Sequence, residues 1–364
     1  MKRRIEIGLL YSRTGSYALL SEACRTGALA AIARVNSNPE SAISLVPVER
    51  DPGGNVDFYG PMCEQILRET TARHIVGCVT SWSRKEVIPT LERNRGTLWY
   101  AVPYEGFEAS DHVVYTHSCP NQHLLPLLDW AMPAHGSRAF LIGSNYIWGW
   151  EMNRLAREAI MAAGGTVLGE RYLPIGSREI GRMIEEIKAT RPDFILNSLI
   201  GPSSYDFLAA YRDLGRHDPN FRADRCPVLS CKLTECEFAA LGDAAEGLVA
   251  AGPYFRGVSG WPWAGRFGSS HEAAAFSAVR ELARLLSSCP EAEHRNLAHL
   301  LSADPGTDGI VDAETHHTVL PVLIAQVRKG AFRIIRAHPG VAGDPYLSRT
   351  KAVARPVSHL RVVS

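Results

Sequence analysis

The sequence predicts an α/β protein of two lobes, each built on a doubly wound parallel sheet, and three observations carry that expectation. Short apolar runs without polar alternation, such as Ile75-Val76-Gly77-Cys78-Val79, alternate with amphipathic helical stretches. Strands buried on both faces by helices read this way. The rhythm continues as far as Tyr115, breaks at Pro120-Asn121-Gln122 and then starts afresh. A chain of 364 residues also carries a length prior for two domains.

In order along the chain, residues 5–11 read as the first strand, 12–16 as a polar loop and 21–36 as an alanine- and leucine-rich helix. A second strand over 42–49 ends at the turn Asp51-Pro52-Gly53-Gly54, and 57–71 is a helix. Residues 75–79 form the third strand. The hydroxyls of Thr80, Ser81 and Ser83 follow it, in the loop and at a helix N-cap. A helix over 86–94 carries Val87 and Leu91 on its apolar face. Residues 97–102 are a strand closed by Pro103, and 113–115 a further one. Strands of such a unit end on one edge of the sheet, where ligands bind in open α/β folds. Ser81 and Tyr100 therefore belong beside the same cleft, although the pattern equally fits a unit with no ligand.

The second half reads as helices over 123–134, 151–164, 179–190 and 203–214, with strands over 138–143, 166–172, 194–199 and 227–230. Residues 144–149 form a loop, and Gly164-Gly165 stops the helix before it. A strand over 247–254 is expected to return to the first lobe. Helices over 273–287 and 293–302 come next, then strands over 309–312, 322–329 and 332–336. The last two form a hairpin turning at Lys329-Gly330, and the tail after Pro339 is irregular.

Hydrophobic residues make up 46% and charged residues 21% of the chain, near the globular average. A net charge of +1 without any block of like charge argues against direct nucleic-acid binding. The start, MKRRIEIGLLYS, is basic, but Glu6 interrupts its apolar stretch. It reads as the entry to the first strand, and no run nears the roughly 20 apolar residues that span a bilayer. The expectation is a cytoplasmic protein without membrane insertion, periplasmic if an export signal is processed away. The eight cysteines, at 24, 63, 78, 119, 226, 231, 236 and 289, are scattered with no CxxC pair and read as buried thiols rather than disulfides. The five-residue spacing of Cys226, Cys231 and Cys236, near His217, fits no common zinc pattern. No metal and no cofactor are expected. There is no GxSxG, HExxH or P-loop motif. His117 beside Cys119 is adjacent in sequence only, a poor sign of a catalytic pair, so an enzyme is disfavoured.

Several blocks are more specific: DPGG at 51–54, TSWSRKEVIP at 80–89, WY at 99–100 and PYEGFE at 103–108, then PNQ at 120–122, IGSNYIWGWEMN at 142–153, AGGTVLGERYLPIG at 163–176 and DAETHHT at 312–318. In this order they resemble the type I periplasmic-binding-protein-like amide and urea receptors. Within that family the chain is most similar to the amide-sensing negative regulators of aliphatic amidase and nitrile-hydratase expression, and next to urea-binding transport proteins. The resemblance covers nearly the whole chain and is weakest in the tail. It implies two lobes joined by three hinge crossovers, near Ser118, Gly247 and Thr315, with a ligand clamped between them. Residues 1–118 with 248–315 would form one lobe, and 119–247 with 316–364 the other.

The resemblance also implies a site. Ser81 matches the hydroxyl that bonds the ligand, flanked by Val79 and Thr80. Tyr100, Val102 and Pro103 match a wall after the next strand. Tyr146 and Trp148 match a tyrosine pair from the opposite lobe, and Lys232 and Leu233 stand where the regulators have a threonine-rich strand end. The regulators have tyrosine at Val79, threonine at Val102 and a second tyrosine at Trp148, so this pocket is more apolar. That points to an amide larger or less polar than acetamide, or a related urea or nitrile. A short amide offers a carbonyl acceptor, N–H donors and a small alkyl group without charge. Hydroxyl- and aromatic-rich loops suit it, whereas a free amino acid needs groups to neutralise both its carboxylate and its ammonium. Plainer roles also fit: Ser81 as an N-cap, Tyr146 and Trp148 as hinge packing, and Arg84 and Lys85 bonded to carboxylates. Glu105 and Glu108 hold their loop, and His316-His317 make structural hydrogen bonds. The expected function is a ligand-controlled sensor acting through a partner, which in the resembling regulators is an RNA-binding antiterminator protein. A homodimer is compatible with this. The alternative is the substrate-binding protein of an ABC transporter for short amides or urea.

Overall fold

The computed structural model describes residues 2–108, 110–259, 261, 263, 265–288, 297–302 and 310–349. The first sheet takes in β1 (Arg3–Leu10), β2 (Ile43–Arg50), β3 (His74–Gly77), β4 (Thr97–Tyr100) and β5 (Val113–Tyr115). They run parallel in the order β2-β1-β3-β4-β5. The connections are α1 (Ala18–Ser37), α2 (Tyr59–Glu69) and α3 (Ser81–Asn94). Every residue of β3, β4 and β5 is buried, as strands covered on both faces must be.

The chain then crosses through the turn Pro120–Gln122 into α4 (Leu124–His135), β6 (Arg138–Ser144), α5 (Ile147–Ala162) and β7 (Thr166–Leu173). It continues with α6 (Gly181–Thr190), β8 (Phe194–Ser198), α7 (Pro202–His217), β9 (Val228–Ser230), α8 (Phe238–Leu241) and β10 (Val249–Gly252). After α9 (Ser270–Ser288) and α10 (Leu297–Ser302), β11 (Leu320–Arg328) and β12 (Ala331–Val341) complete the chain's second sheet. Its order is β12-β11-β10-β9-β8-β6-β7. The parallel part, β7-β6-β8-β9-β10, repeats the strand order of the first sheet. Both sheets thus reverse direction of winding at one point, between β1 and β3 and between β6 and β8, and ligands bind at such points in open α/β sheets.

The strand expected to return to the first lobe does not. β10 pairs in parallel with β9 and antiparallel with β11, so it closes the second sheet. A four-residue apolar strand fits either sheet; Leu229 and Ile324, its neighbours in register, decide. The hand-over comes after Gly252, and α9 then packs on α1 so closely that a Cβ on Gly27 would lie 2.1 Å from the Glu272 carbonyl oxygen. β5 meets the returning chain through a parallel bridge, Tyr115 to His317. Gln122 Nε2 donates to the carbonyls of Thr318 (2.9 Å) and Val341 (2.7 Å), which ties the first crossover to the last.

Other differences are local. α3 begins at Ser81 rather than 86, and α5 at Ile147 rather than 151. β12 runs past Pro339, where an irregular tail is expected; it is an edge strand with a register shift there, the position where proline is tolerated. Residues 309–312 reduce to a bridge between Val311 and Thr318, with Gly309 outside the described residues. Residues 293–296 of the expected helix, and Cys289, also lie outside them. The hairpin turns at Lys329 and Gly330 with φ of 54° and 71°, as its tight connection requires. The seven described cysteines carry free thiols, buried except for the half-buried Cys236.

Burial pushes His74, His123 and His317 down to about 4 and His271 to about 3. A histidine held below its ordinary 6.5 takes up protons more readily in the unfolded chain. Its contribution is complete above pH 6.5 and declines as pH falls towards 4, by about 1.4 kcal/mol per pH unit for each ring. The midpoint of thermal unfolding should therefore fall between pH 7 and pH 5. A flat profile over that range would contradict the neutral, buried rings.

Candidate functional site

The loops at the carboxyl ends of the central strands of both sheets converge on one cavity of about 30 Å³. β3 stops at Gly77, where a Cβ would lie 2.6 Å from the Leu10 carbonyl oxygen. Cys78 then adopts a left-handed φ of 63°, uncommon for a residue with a side chain. This sharp turn sets Val79, Thr80 and Ser81 against the cavity. Thr80 is the N-cap of α3. Its Oγ1 accepts from the Ser83 N–H at 3.1 Å, and Ser83 Oγ accepts from the Thr80 N–H at 3.2 Å. The reciprocal cap uses Thr80 and Ser83, so Ser81 has no part in it.

From the end of β4 come Tyr100, Val102 and Pro103. The opposite lobe supplies Tyr146 and Trp148 after β6, and Lys232 after β9. Tyr146 is the extended N-cap residue of α5, and its ring meets Trp82 of α3 edge-on at 5.3 Å. Trp148 lies in the first turn of α5 with its indole N–H buried and unpartnered. Lys232 Nζ donates to Glu237 Oε1 at 3.2 Å, and both side chains are buried. Nine of the ten residues singled out from the sequence thus surround one space. Leu233 does not; it turns into the apolar core of the second lobe, because Ser230 Oγ accepts the N–H groups of both Lys232 and Leu233 and folds the chain back there.

Five lining residues were not legible in the sequence: Tyr17, Leu20, Ile200, Gly201 and His271. The first two follow β1 and the next two follow β8. These are the strands flanking the two switch points, so the repeated strand order was the available signal. Gly201 takes a φ of 57°, and a Cβ on it would lie 2.1 Å from the Ser16 carbonyl oxygen, so the lobes touch backbone to backbone. His271, at the start of α9, had no sequence signal. A larger hollow of about 340 Å³ lies on the outer side of the second lobe beside α7, lined in part by Arg212, Arg216 and Arg222. It lies at the amino ends of β9 and β10, on the side opposite their carboxyl ends, and gathers none of the buried unpartnered polar atoms.

Behind the Tyr100 wall lies a buried charge cluster. Arg84, fully buried, donates from Nη2 to Glu105 Oε1 at 2.6 Å and from Nε to Glu108 Oε1 at 2.7 Å. Its guanidinium lies 4.7 Å from the ring centre of Tyr100 and 4.8 Å from that of Tyr104, within cation–π range. Lys85 and the Tyr115 hydroxyl add donors to Glu108, at 2.6 and 2.7 Å. Tyr115 stacks on His317 at 4.4 Å. Burial pushes the Glu108 carboxyl up, but Arg84's charge and these hydrogen bonds prevail and hold it at about 2. Arg84, Lys85, Glu105 and Glu108 bond one another behind the cavity wall, and His317 Nδ1 bonds the Thr315 carbonyl (2.6 Å).

The fold and its interlobe cavity define a ligand-binding receptor of the two-lobed kind. The chain belongs to the periplasmic binding protein domain family, whose model matches residues 5–352. Similar solved structures include a solute-binding protein of an ABC transporter from R. palustris in complex with 4-hydroxybenzoate. It is 18% identical, with a TM-score of 0.79 over 96% of this chain and 100% of that one. An amino acid ABC transporter substrate-binding protein from Pseudomonas fluorescens Pf-5 is 17% identical, with a TM-score of 0.75 over 97% and 99%. A branched chain amino acid ABC transporter periplasmic ligand-binding protein from Burkholderia xenovorans LB400 is 14% identical, with a TM-score of 0.74 over 92% and 95%. The family and these neighbours are ligand-binding and transport proteins. Among the described residues, no helix is long and apolar enough to cross a membrane.

Arg84→Met should cost on the order of 3–5 kcal/mol at pH 7, because it leaves the buried Glu105 without its cation and Glu108 with Lys85 alone. Glu108's folded value of about 2 lies below its ordinary 4.5. Its contribution is thus complete above pH 4.5 and lost as pH falls through 2. The stability gap between wild type and Arg84→Met, measured by denaturant titration, should narrow from pH 7 to pH 3. A gap that stays constant would show that the charges do not interact.

Proposed function

We propose that this chain is a solute-binding receptor of a transport system, whose lobes close on a short amide, urea or nitrile. One observation carries the reading: the switch-point loops of both lobes meet in a single cavity, with hydroxyl, phenol and indole groups on its wall. About 30 Å³ suits a ligand of few heavy atoms. The lining side chains include one ionic group, Lys232, and Glu237 already neutralises it, which supports an uncharged guest. Val79 and Val102 supply apolar wall, so propionamide should bind better than acetamide. Ser81 would bond the polar end from the first lobe, while Tyr146 and Trp148 would cover it from the second. Differential affinity for open and closed forms is what drives such closure. The family and the transport proteins among its structural neighbours support delivery to a membrane transporter, which requires export. The PYEGFE and IGSNYIWGWEMN blocks favour a second reading, a cytoplasmic sensor that uses the same closure to hold or release an RNA-binding antiterminator.

Calorimetry with acetamide, propionamide, butyramide, urea and benzoate tests the ligand. Propionamide or butyramide should bind most tightly and remain unhydrolysed after prolonged incubation. Ser81→Ala should weaken binding about tenfold, the worth of one hydrogen bond. Tightest binding of acetamide would refute the ligand assignment, and an unaffected Ser81→Ala would refute the role of that hydroxyl.

A further inference from the structure

Two of the polar atoms left over on the cavity wall are nitrogens, those of Trp148 and His271, and the one left behind it is Glu237 Oε2. A lysine ammonium has three N–H groups, and Lys232 directs one at Glu237. Glu237 is held in place from the other side by the Tyr205 hydroxyl, at 3.0 Å from the same Oε1. The ion pair is therefore anchored within the second lobe, beside the cavity rather than across it. The indole N–H of Trp148 is buried and unpartnered. His271, from the first lobe, is fully buried; its Nδ1 lies 3.3 Å from Thr234 Oγ1, and its Nε2 has no partner. With Nδ1 accepting from the Thr234 hydroxyl, Nε2 carries the hydrogen and becomes a donor.

The backbone adds to this. Thr80, Tyr146 and Gly201 are the N-cap residues of α3, α5 and α7, helices of 14, 16 and 16 residues, and all three line the cavity. The amino end of each helix carries roughly half a positive charge. Among the described lining residues there is no Asp or Glu. A buried donor without an acceptor is costly, so a complementary ligand brings acceptor atoms to this side.

We propose that Lys232 and His271 are specificity-determining residues that receive an sp2 oxygen of the ligand, and that the site refuses any ligand bearing an ammonium group. The proposal rests on the receptor reading above and sharpens its ligand class. A carbonyl or carboxylate oxygen lies between Lys232 of one lobe and His271 of the other, so that both lobes grip the same end of the molecule. An α-amino acid brings its ammonium against three positive helix ends, with no Asp or Glu among the described lining residues and with Glu237 already paired to Lys232. An amide and a carboxylate both supply the required oxygen; they differ in charge, which separates them experimentally.

The test uses propionamide, propionate and L-alanine, which share a three-carbon skeleton. Calorimetry on the wild-type chain should show binding of propionamide, propionate or both, and binding of L-alanine at least about 30-fold weaker. Lys232→Met should weaken the better ligand by about 30-fold, the loss expected for a charge-assisted hydrogen bond. The double variant Lys232→Met/Glu237→Gln should show the same loss, with no orphaned carboxylate left to disturb the fold. His271→Phe should weaken the same ligand while its melting temperature stays near that of wild type. Binding of L-alanine within threefold of propionate overturns the proposal, as does wild-type affinity in the folded double variant, and either result leaves the receptor reading intact. If none of the three binds the wild-type chain, the small-ligand receptor reading itself falls, and this proposal with it.

Discussion

Arg84 joins three parts of the molecule around one buried charge. Its own helix, α3, begins at Ser81 on the cavity wall; Glu105 and Glu108 belong to the loop after β4; Tyr115 is the last residue of β5 and stacks on His317 of the returning chain. A guanidinium out of water must be paired and bonded, or its desolvation outweighs everything it gains. Here two carboxylates and two tyrosine faces, those of Tyr100 and Tyr104, surround it. The consequence is geometric: the ring of Tyr100, which forms the cavity wall, is held from behind by the same group that fixes the hinge loop. Cleft wall and the loop after β4 are thus tied together on the first lobe, and in the proposed receptor closure would turn about the crossovers rather than within the wall.

The two sheets carry the same strand order, and this explains why six loops reach one place. Each sheet presents the ends of its first, third and fourth strands at its switch point, and the lobes face each other across that edge. The architecture leaves the guest open. Neighbours with the same fold include a protein in complex with 4-hydroxybenzoate and one for branched chain amino acids, so ligand choice lies in side chains, as expected when function is grafted on a common fold.

What the sequence made legible follows from how local each signal was. The β3–α3–β4 unit could be read because apolar runs, a hydroxyl cluster and Pro103 punctuate it within a few residues; the shared edge of Ser81 and Tyr100 followed from strand polarity, while Val79, Val102 and Pro103 came from the family resemblance. The start of α3 was misjudged because Trp82, Ser83 and Arg84 look like loop until the reciprocal cap of Thr80 and Ser83 is seen. The sheet membership of β10 was not readable, because four small and apolar residues match either neighbour. Leu233 was expected at the site because, with Lys232, it stands where the resembling regulators have a threonine-rich strand end, but the Ser230 hydroxyl folds the chain back there and Leu233 enters the core. His271 belongs to a segment that rejoins the first lobe far along the chain, and only the folded arrangement brings it to Lys232. Tyr17 and Gly201 lie in loops whose importance depends on strand order, a property no single window contains.

Gly201 sets a limit on how close the halves can come. Its bare Cα lies under the Ser16 carbonyl, with no room for one more carbon. A stop made of backbone does not yield as a side chain would, so the closed gap has a fixed width. If the proposed receptor closes on its guest, it would work as a caliper: a guest that fits would let the jaws reach their stop, whereas a bulkier one would prop them apart and forfeit the contacts that only full contact of the jaws supplies.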